Sequence, residues 1–453
     1  MLGKQRHIRK FLPYLLMPLP FISTASHALI GMIDYGYGTI SKSMAGASVA
    51  SPQDVFASSS NPAGIVDVDR QAEVGFSVSS PRRGYTANNP GGIFLVAPGT
   101  HWSRSNYFFI PNAGYVGSII KDKLSYGMSM YGNGGMNANY TANMTGSTIG
   151  GKTGVYGAGG RAAATDLRQL FLNLSLAWKA SNNLSLGVSL LPVVQSFEAE
   201  GLSPFQAFSV SPNKVSDNGR RYTYGLGARA GVLFKVNPYL SLGTSYQPKI
   251  PMTRFTNYAG LLEGKGSLDI PSTGTIGVSL KPAQNWLLNF DIQKIWYSSV
   301  AAISNPNTCS ITSGKPCLGF DNAAGFGWNN PLAFKLGTQW KYNELWTWRL
   351  GYMHYNQVIP SSQTVFNIIA PGVVSDQFTG GFTRMFGKAL AFNIGAMISP
   401  QVRVTGSNQF NKNQSITIFM SHYEAFASIT WKFDADDAWK DVAPQTTGKW
   451  RKV

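Results

Sequence analysis

The stretch that decides the fold is LRQLFLNLSLAWK, residues 167–179. Large apolar side chains occupy every second position in it, at Leu170, Leu172, Leu174, Leu176 and Trp178. The intervening positions include Gln169, Asn173 and Ser175. Because successive side chains of a β-strand point to opposite faces, this alternation predicts a strand with one apolar and one polar face.

The same alternation recurs along the chain and predicts fourteen strands. They fall near residues 71–80, 107–120, 123–131, 167–180, 183–197, 220–236, 238–254, 267–281, 284–298, 329–343, 344–358, 374–386, 388–400 and 416–433. Short connections are expected at 121–123, 181–183, 237–238, 282–284, 341–343 and 387–388. Long ones are expected around 81–106, 131–166, 198–219, 255–266, 299–328, 357–373 and 401–415. Short turns at one end and long loops at the other are typical of outer-membrane barrels whose termini both face the periplasm.

Composition supports a barrel in lipid. Charged residues make up 13% of the chain, against roughly 25% in soluble domains. Aromatic residues near strand ends, such as Trp178, Trp286, Trp340 and Trp431, are typical of the interfacial girdle of a membrane barrel. An open sheet edge in lipid would leave backbone groups unpaired, so the sheet must close. The predicted fold class is all-β, a fourteen-stranded antiparallel transmembrane β-barrel.

The first 28 residues read as a signal peptide. Lys4 and Arg6 precede the apolar run FLPYLLMPLPFI, and Ser26-His27-Ala28 offers small residues for cleavage. A membrane anchor is disfavoured because the run is short and broken by prolines. We expect a barrel over 70–433 in the outer membrane of a Gram-negative bacterium and a periplasmic tail at 434–453. The formal net charge of +17 favours anionic lipid or substrate over nucleic acid in an exported chain.

Two cysteines, Cys309 and Cys317, flank a Gly-Lys-Pro turn in one long connection. In an oxidising compartment this spacing predicts a loop disulfide. The sequence predicts no metal and no cofactor.

Residues 29–69 are rich in small side chains and precede the first strand. A fourteen-stranded barrel has a lumen too wide for wall side chains to fill, so this segment is expected to be a hatch, a plug inside the lumen. A solvated periplasmic tail is the alternative. The stretch YGTISKSMAGASVASPQDVFASSSNPAGI (37–65), with segments 246–299 and 348–362, resembles the FadL/TodX family of outer-membrane transporters of long-chain fatty acids and aromatic hydrocarbons.

The resemblance implies a monomer plugged by its hatch, in which a hydrophobic ligand enters from outside and leaves sideways through the wall near the third strand. The glycine-rich YGNGGMNANY (131–140) is consistent with such an opening or with an ordinary loop. Related sequences often carry an acid where this chain has Asn356. The expected partners are a hydrophobic small molecule, outer-membrane lipid and lipopolysaccharide.

Three groups of residues are expected to act on the ligand. The gate is assigned to Asn61, Pro62, Ala63, Gly64 and Asp54, which could instead form a structural turn. Apolar contacts are assigned to Phe56, Phe171, Leu233, Leu287 and Met353, each of which could equally pack against the plug. Binding of the ligand's carboxylate head group is assigned to Arg229, Lys335 and Arg349. For any one of them, pairing with Asp54 or Asp291 is the stronger expectation.

Other functions are less well supported by the sequence. A general diffusion porin needs no hatch, and neither does a surface receptor. A lipid hydrolase would need a nucleophile beside a histidine, and no nucleophile motif accompanies His354. The resemblance therefore implies a passive transporter of fatty acids, with aromatic hydrocarbons as the alternative cargo.

Overall fold

The computed structural model describes residues 29–92, 94–140, 154–156, 163–310 and 314–433. The expected signal peptide, the expected tail and the middle of the expected 131–166 loop lie outside these ranges. No helix within the described ranges is long and apolar enough to cross a bilayer.

Fourteen strands form one closed antiparallel sheet. They are β1 (Gln71–Ala87), β2 (Phe108–Ile120), β3 (Leu124–Asn139), β4 (Ala164–Lys179), β5 (Leu184–Glu200), β6 (Arg221–Asn237), β7 (Leu240–Gln247), β8 (Ser272–Ala283), β9 (Trp286–Trp296), β10 (Leu332–Lys341), β11 (Trp346–Tyr355), β12 (Asp376–Phe386), β13 (Leu390–Asn408) and β14 (Asn411–Lys432). Neighbours in sequence are neighbours in the sheet. The strand β14 also pairs with β1, from Lys432 opposite Gln71 to Ile416 opposite Ala87, which closes the barrel. The predicted fold class is confirmed.

Shorter elements lie before the barrel and in its long loops. Leu29–Ile30 pairs with Ile33–Asp34, and Gly99–Trp102 pairs with the far end of β1. The helices are α1 (Gly38–Lys42), α2 (Ala57–Ser60), α3 (Glu263–Gly266), α4 (Ala301–Ser304) and α5 (Thr364–Asn367). Turns of 3-10 helix span Pro62–Asp67, Ser203–Phe208, Pro212–Lys214, Thr256–Tyr258, Tyr297–Ser299 and Ser361–Gln363.

The alternation of apolar and polar residues along each strand corresponds to an outward and an inward face of the barrel wall. On β4, Leu172 and Leu174 are 37% and 38% exposed, whereas Asn173 between them is fully buried. The lumen therefore receives the polar row of each strand, and the apolar row faces outward. A buried polar side chain needs a hydrogen-bond partner, so the lumen cannot be dry and empty.

One predicted connection is wrong. The long loop expected at 401–415 is absent, because β13 runs to Asn408 and β14 resumes at Asn411. These strands stay paired well beyond the apolar zone, and there their apolar side chains, such as Val404, Ile416 and Ile418, face inward while the polar ones face outward. The outward apolar row that marks the other strands in the sequence is therefore absent there, although the backbone ladder continues.

The wall is interrupted between β2 and β3. Their ladder begins at the short turn and ends where Ala113 lies opposite Met130. Beyond Met130 the alternation of β3 stops and most of its residues are buried, and the strand shifts register against β4 between Gly134 and Asn137. The next backbone bond across this gap joins Arg104 to Asn139, at 2.8 Å. We call the interval between these two links the β2–β3 window.

On the loop side, the described parts of the long connections pack against one another, with Ile303, Leu318 and Ile368 buried among them. Cys309 and Cys317, in the connection between β9 and β10, form a disulfide with their Cα atoms 5.1 Å apart. At the opposite end the strands are joined by short turns. We refer to the two ends as the loop side and the short-turn end.

Candidate functional site

Residues 29–69, called the hatch segment from here on, lie inside the barrel. Nearly every side chain from Ile30 to Ile65 is buried, although the segment is too small to bury them in an apolar core of its own. Its partners are the inward faces of the wall strands. The segment and the wall therefore form one packed interior.

The Asn-Pro-Ala-Gly turn joins the hatch segment to the wall. Asn61 begins the 3-10 helix Pro62–Asp67, and its side-chain oxygen accepts a hydrogen bond from the Ala63 amide at 3.1 Å. Its amide nitrogen donates to the carbonyls of Val49 at 2.8 Å and of Val232 on β6 at 2.9 Å. Because Asn61 links two parts of the segment to a wall strand, it supports packing whatever its role in gating.

Glycines of the wall make room for the hatch segment. They stand in four pairs on adjacent strands, Gly187 opposite Gly231, Gly243 opposite Gly277, Gly337 opposite Gly351, and Gly381 opposite Gly395. We call these eight residues the glycine belt. A methyl group on Gly187 would collide with the backbone of Pro62 and Ala63, and one on Gly231 with Asn61. Only a residue without a side chain allows the two backbones to approach this closely.

The loop between α1 and α2 is held by polar wall residues. Asp291 on β9 accepts hydrogen bonds from the Ser48 and Val49 amides at 2.8 and 2.9 Å. Asn289, two residues earlier, donates to the Ala47 carbonyl at 2.8 Å. Charge-assisted bonds to backbone amides are among the stronger ones in proteins, so this loop is firmly attached.

A buried ion cluster ties α1 to the closing strand. Lys42 lies 2.9 Å from Asp34 and 2.7 Å from Glu424 of β14. Burial alone would lower the pKa of Lys42, but the carboxylates of Asp34 and Glu424 outweigh that effect and raise it. Lys42 is therefore charged at neutral pH. The Tyr35 hydroxyl donates to the same Glu424 at 3.2 Å.

Asp54 is buried at the short-turn end of the hatch segment. Its carboxylate accepts a hydrogen bond from the Phe56 amide at 2.9 Å. Burial, followed by the nearby Glu73 carboxylate, raises the pKa of Asp54 well above its ordinary value despite that bond and the charge of Arg349. The docked segment therefore favours a protonated Asp54.

The three cations assigned to a ligand carboxylate have protein partners. Lys335 donates to the Tyr35 carbonyl at 2.6 Å. Arg229 donates to the Ser59 carbonyl and to Gln247, the latter at 2.8 Å. Two of the cations thus hold the hatch segment through its backbone.

Arg349 differs because its partners belong to the wall. It donates to Gln339 at 2.6 Å and to Thr383 at 2.7 Å. A ligand carboxylate would have to displace these partners, so binding of a head group by any of the three remains a prediction.

The five apolar residues assigned to the ligand do not converge. Phe171 and Met353 belong to a large buried apolar cluster on the loop side. Phe56 belongs to a smaller cluster inside the hatch segment and the adjoining wall. Leu233 and Leu287 are buried near the short turns that end β6 and begin β9. A single pocket therefore cannot use all five in this arrangement.

The loops themselves form an apolar chamber that sequence reasoning missed. A cavity of about 30 Å³ lies between Phe197 of β5 and side chains of the connections after β5, β7, β9 and β11, which include Leu202, Phe205, Leu262, Phe326, Phe366 and Ile369. Phe205 packs edge-on against Phe366 with ring centres 5.2 Å apart. We call this set the loop chamber. The sequence signal that could have revealed the chamber is the presence of apolar clusters in expected surface loops, such as VFNIIA at 365–370.

The start of the hatch segment enters the same apolar cluster. Ile30 and Met32 are fully buried. The Tyr297 hydroxyl accepts from the Met32 amide at 2.8 Å and donates to the Ile30 carbonyl. The loop chamber and the hatch segment are therefore parts of one continuous apolar interior.

A closed barrel with an apolar exterior and a lumen filled by its own N-terminal segment defines a plugged outer-membrane β-barrel. The family model described as outer membrane protein transport protein (OMPP1/FadL/TodX) matches residues 23–370. The chain belongs to this family, which confirms the resemblance found in the hatch sequence.

Relatives and solved structures agree with this assignment. The long-chain fatty acid transport protein of Salmonella typhi is 22% identical over 401 residues, covering 80% of this chain and 83% of that protein. A Pseudomonas aeruginosa FadL homologue has a TM-score of 0.65 at 17% identity, covering 89% of this chain and 99% of its own. The P. putida toluene transporter TodX has a TM-score of 0.63 at 18% identity, covering 88% and 99%. The two structures share the fold.

Proposed function

We propose that this protein takes up long-chain fatty acids, or hydrophobic molecules like them, across the outer membrane without catalysis. The loop chamber faces the outside, both termini face the periplasm, and the protein acts as a monomer whose loop side contacts lipopolysaccharide. The relative matched over 401 residues is named a long-chain fatty acid transport protein. The observation that carries the proposal is the apolar chamber above a plugged lumen.

An apolar route suits an oily cargo. An acyl chain gains about 0.8 kcal/mol for each methylene kept from water. A chamber lined by Phe205, Leu262 and Phe366 provides that environment on the loop side. The cavity between the hatch segment and the wall is lined by charged side chains such as Asp34, Arg229 and Lys335, so it does not offer an acyl chain that environment.

Passage therefore requires the hatch segment to move and the cargo to leave sideways. The β2–β3 window is a gap in the ladder of the wall, bounded by the Ala113–Met130 pair and the Arg104–Asn139 bond. Asn133, in the part of β3 beyond Met130, accepts a hydrogen bond from the Asp34 amide at 3.2 Å, so the hatch segment touches the window directly. Release through this gap would deliver the cargo into the bilayer without exposing it to water.

Uptake by cells lacking their own transporter tests the cargo. Expression of the protein is expected to restore uptake of labelled oleate, and the same cells are tested with toluene. Restoration of toluene uptake alone would replace fatty acids by the alternative cargo, aromatic hydrocarbons. A large, steady ion current through planar bilayers would indicate a diffusion porin instead and contradict the plugged lumen.

A disulfide across the β2–β3 window tests the exit. Continuing the register by one residue places Asn112 opposite Tyr131, so Asn112→Cys with Tyr131→Cys would join the two strands there. We expect oxidation to block oleate uptake and a reductant to restore it. Ser77→Cys with Ile110→Cys is the matched control, because these residues already oppose each other in the β1–β2 ladder. Equal loss in the control, or undiminished uptake through the closed window, would refute lateral exit.

A further inference from the structure

A second, open cavity lies at the short-turn end, where the hatch segment leaves the lumen. Its volume is about 1300 Å³, and the last hatch residues, from Val66 to Asp69, form part of its floor. The remainder of its lining comes from the turn between β2 and β3 and from the short-turn ends of β4, β12–β13 and β14. It is therefore separate from the loop chamber and from the β2–β3 window. We call it the basal vestibule.

The basal vestibule is basic. Its lining contains the five cations Arg70, Lys121, Lys179, Lys388 and Lys432. Three carboxylates line it as well, and one of them, Asp67, already pairs with Lys235 at 2.6 Å. Among the residues that the structure describes, none of the four lysines has a carboxylate partner. The lining therefore holds an excess of positive charge on side chains that reach into the cavity.

The chain leaves the barrel at the edge of this cavity. Phe433 follows β14, and its amide donates to the Arg70 carbonyl at 3.0 Å. The Arg70 guanidinium lies over the Phe433 ring, 5.2 Å from its centre. Whatever follows Phe433 thus begins beside the basal vestibule.

The residues that follow carry the opposite charge. Residues 434–441 read DADDAWKD, with four aspartates and one lysine, whereas residues 442–453 hold three cations and no acid. Eight residues reach at most about 28 Å when extended, enough to cover the cavity from Phe433. A tethered segment also has an effective concentration in the millimolar range, so weak ion pairs suffice to hold it.

We propose that the acidic segment 434–441 docks in the basal vestibule of the same chain. Asp434, Asp436, Asp437 and Asp441 pair there with the lysines of the rim. Anionic lipid or a second copy of the chain would also meet positive charge. Neither is tethered beside Phe433 as this segment is, and the switch to basic residues after 441 restricts the match to these eight residues. The proposal is independent of what crosses the barrel.

The test uses the full chain with its four tail aspartates changed to asparagine. A fluorescent peptide of sequence DADDAWKD is added at low ionic strength in neutral detergent, and binding is followed by anisotropy. We expect the peptide to bind this variant, and to bind the natural chain at least about tenfold more weakly because its own segment competes. Binding should weaken as salt is raised.

Rim variants made in the neutral-tail chain locate the site. Lys121→Gln with Lys388→Gln should weaken peptide binding by about tenfold, as expected for the loss of two exposed pairs. Lys281→Gln, on the opposite arc of the same rim, should leave it unchanged. An uncharged peptide, NANNAWKN, should not bind.

Several results would overturn the proposal. One is equal peptide binding by the natural and neutral-tail chains, and another is a loss with Lys281→Gln equal to that of the double variant. Failure of the peptide to bind, together with binding of phosphatidylglycerol that depends on Lys121 and Lys388, would assign the cavity to lipid instead.

Discussion

Replacing Gly231 by alanine should loosen the hatch segment while leaving the barrel intact. Gly231 lies on β6 directly beneath the Asn61 side chain. A methyl group there would overlap the Asn61 amide and come within 2.9 Å of Pro62 Cδ. Both groups belong to the turn that holds the segment to the wall, so the turn has to move away.

The expected effect follows from what that movement breaks. Overpacking a filled interior costs about 1–3 kcal/mol. Moving Asn61 also weakens its bonds to the Val232 carbonyl and the Ala63 amide, each contributing about 1 kcal/mol. A loss of about 2–4 kcal/mol in docking free energy raises the undocked population by about 30- to 1000-fold.

Amide hydrogen exchange measures this population directly. The Ala63, Ser48 and Val49 amides are bonded in the docked segment, so their exchange should accelerate by that factor in Gly231→Ala. Gly380→Ala is the matched control, because Gly380 faces outward on β12 and a methyl group there meets the end of the Leu350 side chain at 3.2 Å and the Arg349 carbonyl oxygen at an ordinary contact distance of 3.7 Å. Unchanged exchange in Gly231→Ala, or equal acceleration in both variants, would refute the argument from the glycine belt.

Three further results are expected. Lys42→Met removes the cation shared by two buried carboxylates and should weaken docking by about 3 kcal/mol, seen as faster exchange in α1. Since the raised pKa of Asp54 means that the docked segment binds a proton more tightly than the released one, docking should weaken as the pH rises through that pKa. Exchange, corrected for its intrinsic pH dependence, should show this as the pH rises above the ordinary range of a carboxyl group, and Asp54→Asn should flatten it. Phe205→Ala should lower oleate affinity by about tenfold or more, because a buried phenyl contributes at least 1.5 kcal/mol to an apolar chamber, as measured by quenching of a fluorescent fatty acid.

Each of these results has a control in the same chain. Lys281→Met removes a rim cation and should leave exchange in α1 unchanged. Phe290→Ala removes an outward-facing phenyl on β9 and should not change oleate affinity. A pH effect that persists in Asp54→Asn would assign the titration to another group.

The strands were predictable because the residues of each strand alternate according to the environment, lipid or lumen, that each side chain faces. In residues 167–179 apolar side chains occupy every second position, and this alternation predicts which side chains face lipid and which face the lumen. The outer part of the hairpin formed by β13 and β14 was missed because its outward face is polar, so the outward apolar row that marks the other strands is absent there. The Asn-Pro-Ala-Gly turn was likewise visible, since a capping asparagine before proline is a local signal.

The partners of the site residues were not predictable in the same way. Sequence places Arg229 and Lys335 on the lumen face, but their donation to the Ser59 and Tyr35 carbonyls depends on how the hatch segment folds. The inward position of Gly187 can be read from the strand period, whereas its contact with Ala63 joins residues more than a hundred positions apart. The loop chamber was hidden because irregular loops have no period to reveal which side chains meet.

By itself the sequence determined the strand number, the inward and outward faces, the closure of the sheet and the family, since each follows from local patterns repeated along the chain. Only the tertiary structure decided which wall residues hold the hatch segment, where the wall is interrupted and where the apolar chamber lies. Those features depend on the register of neighbouring strands and on contacts between distant segments, and a period of two cannot encode either.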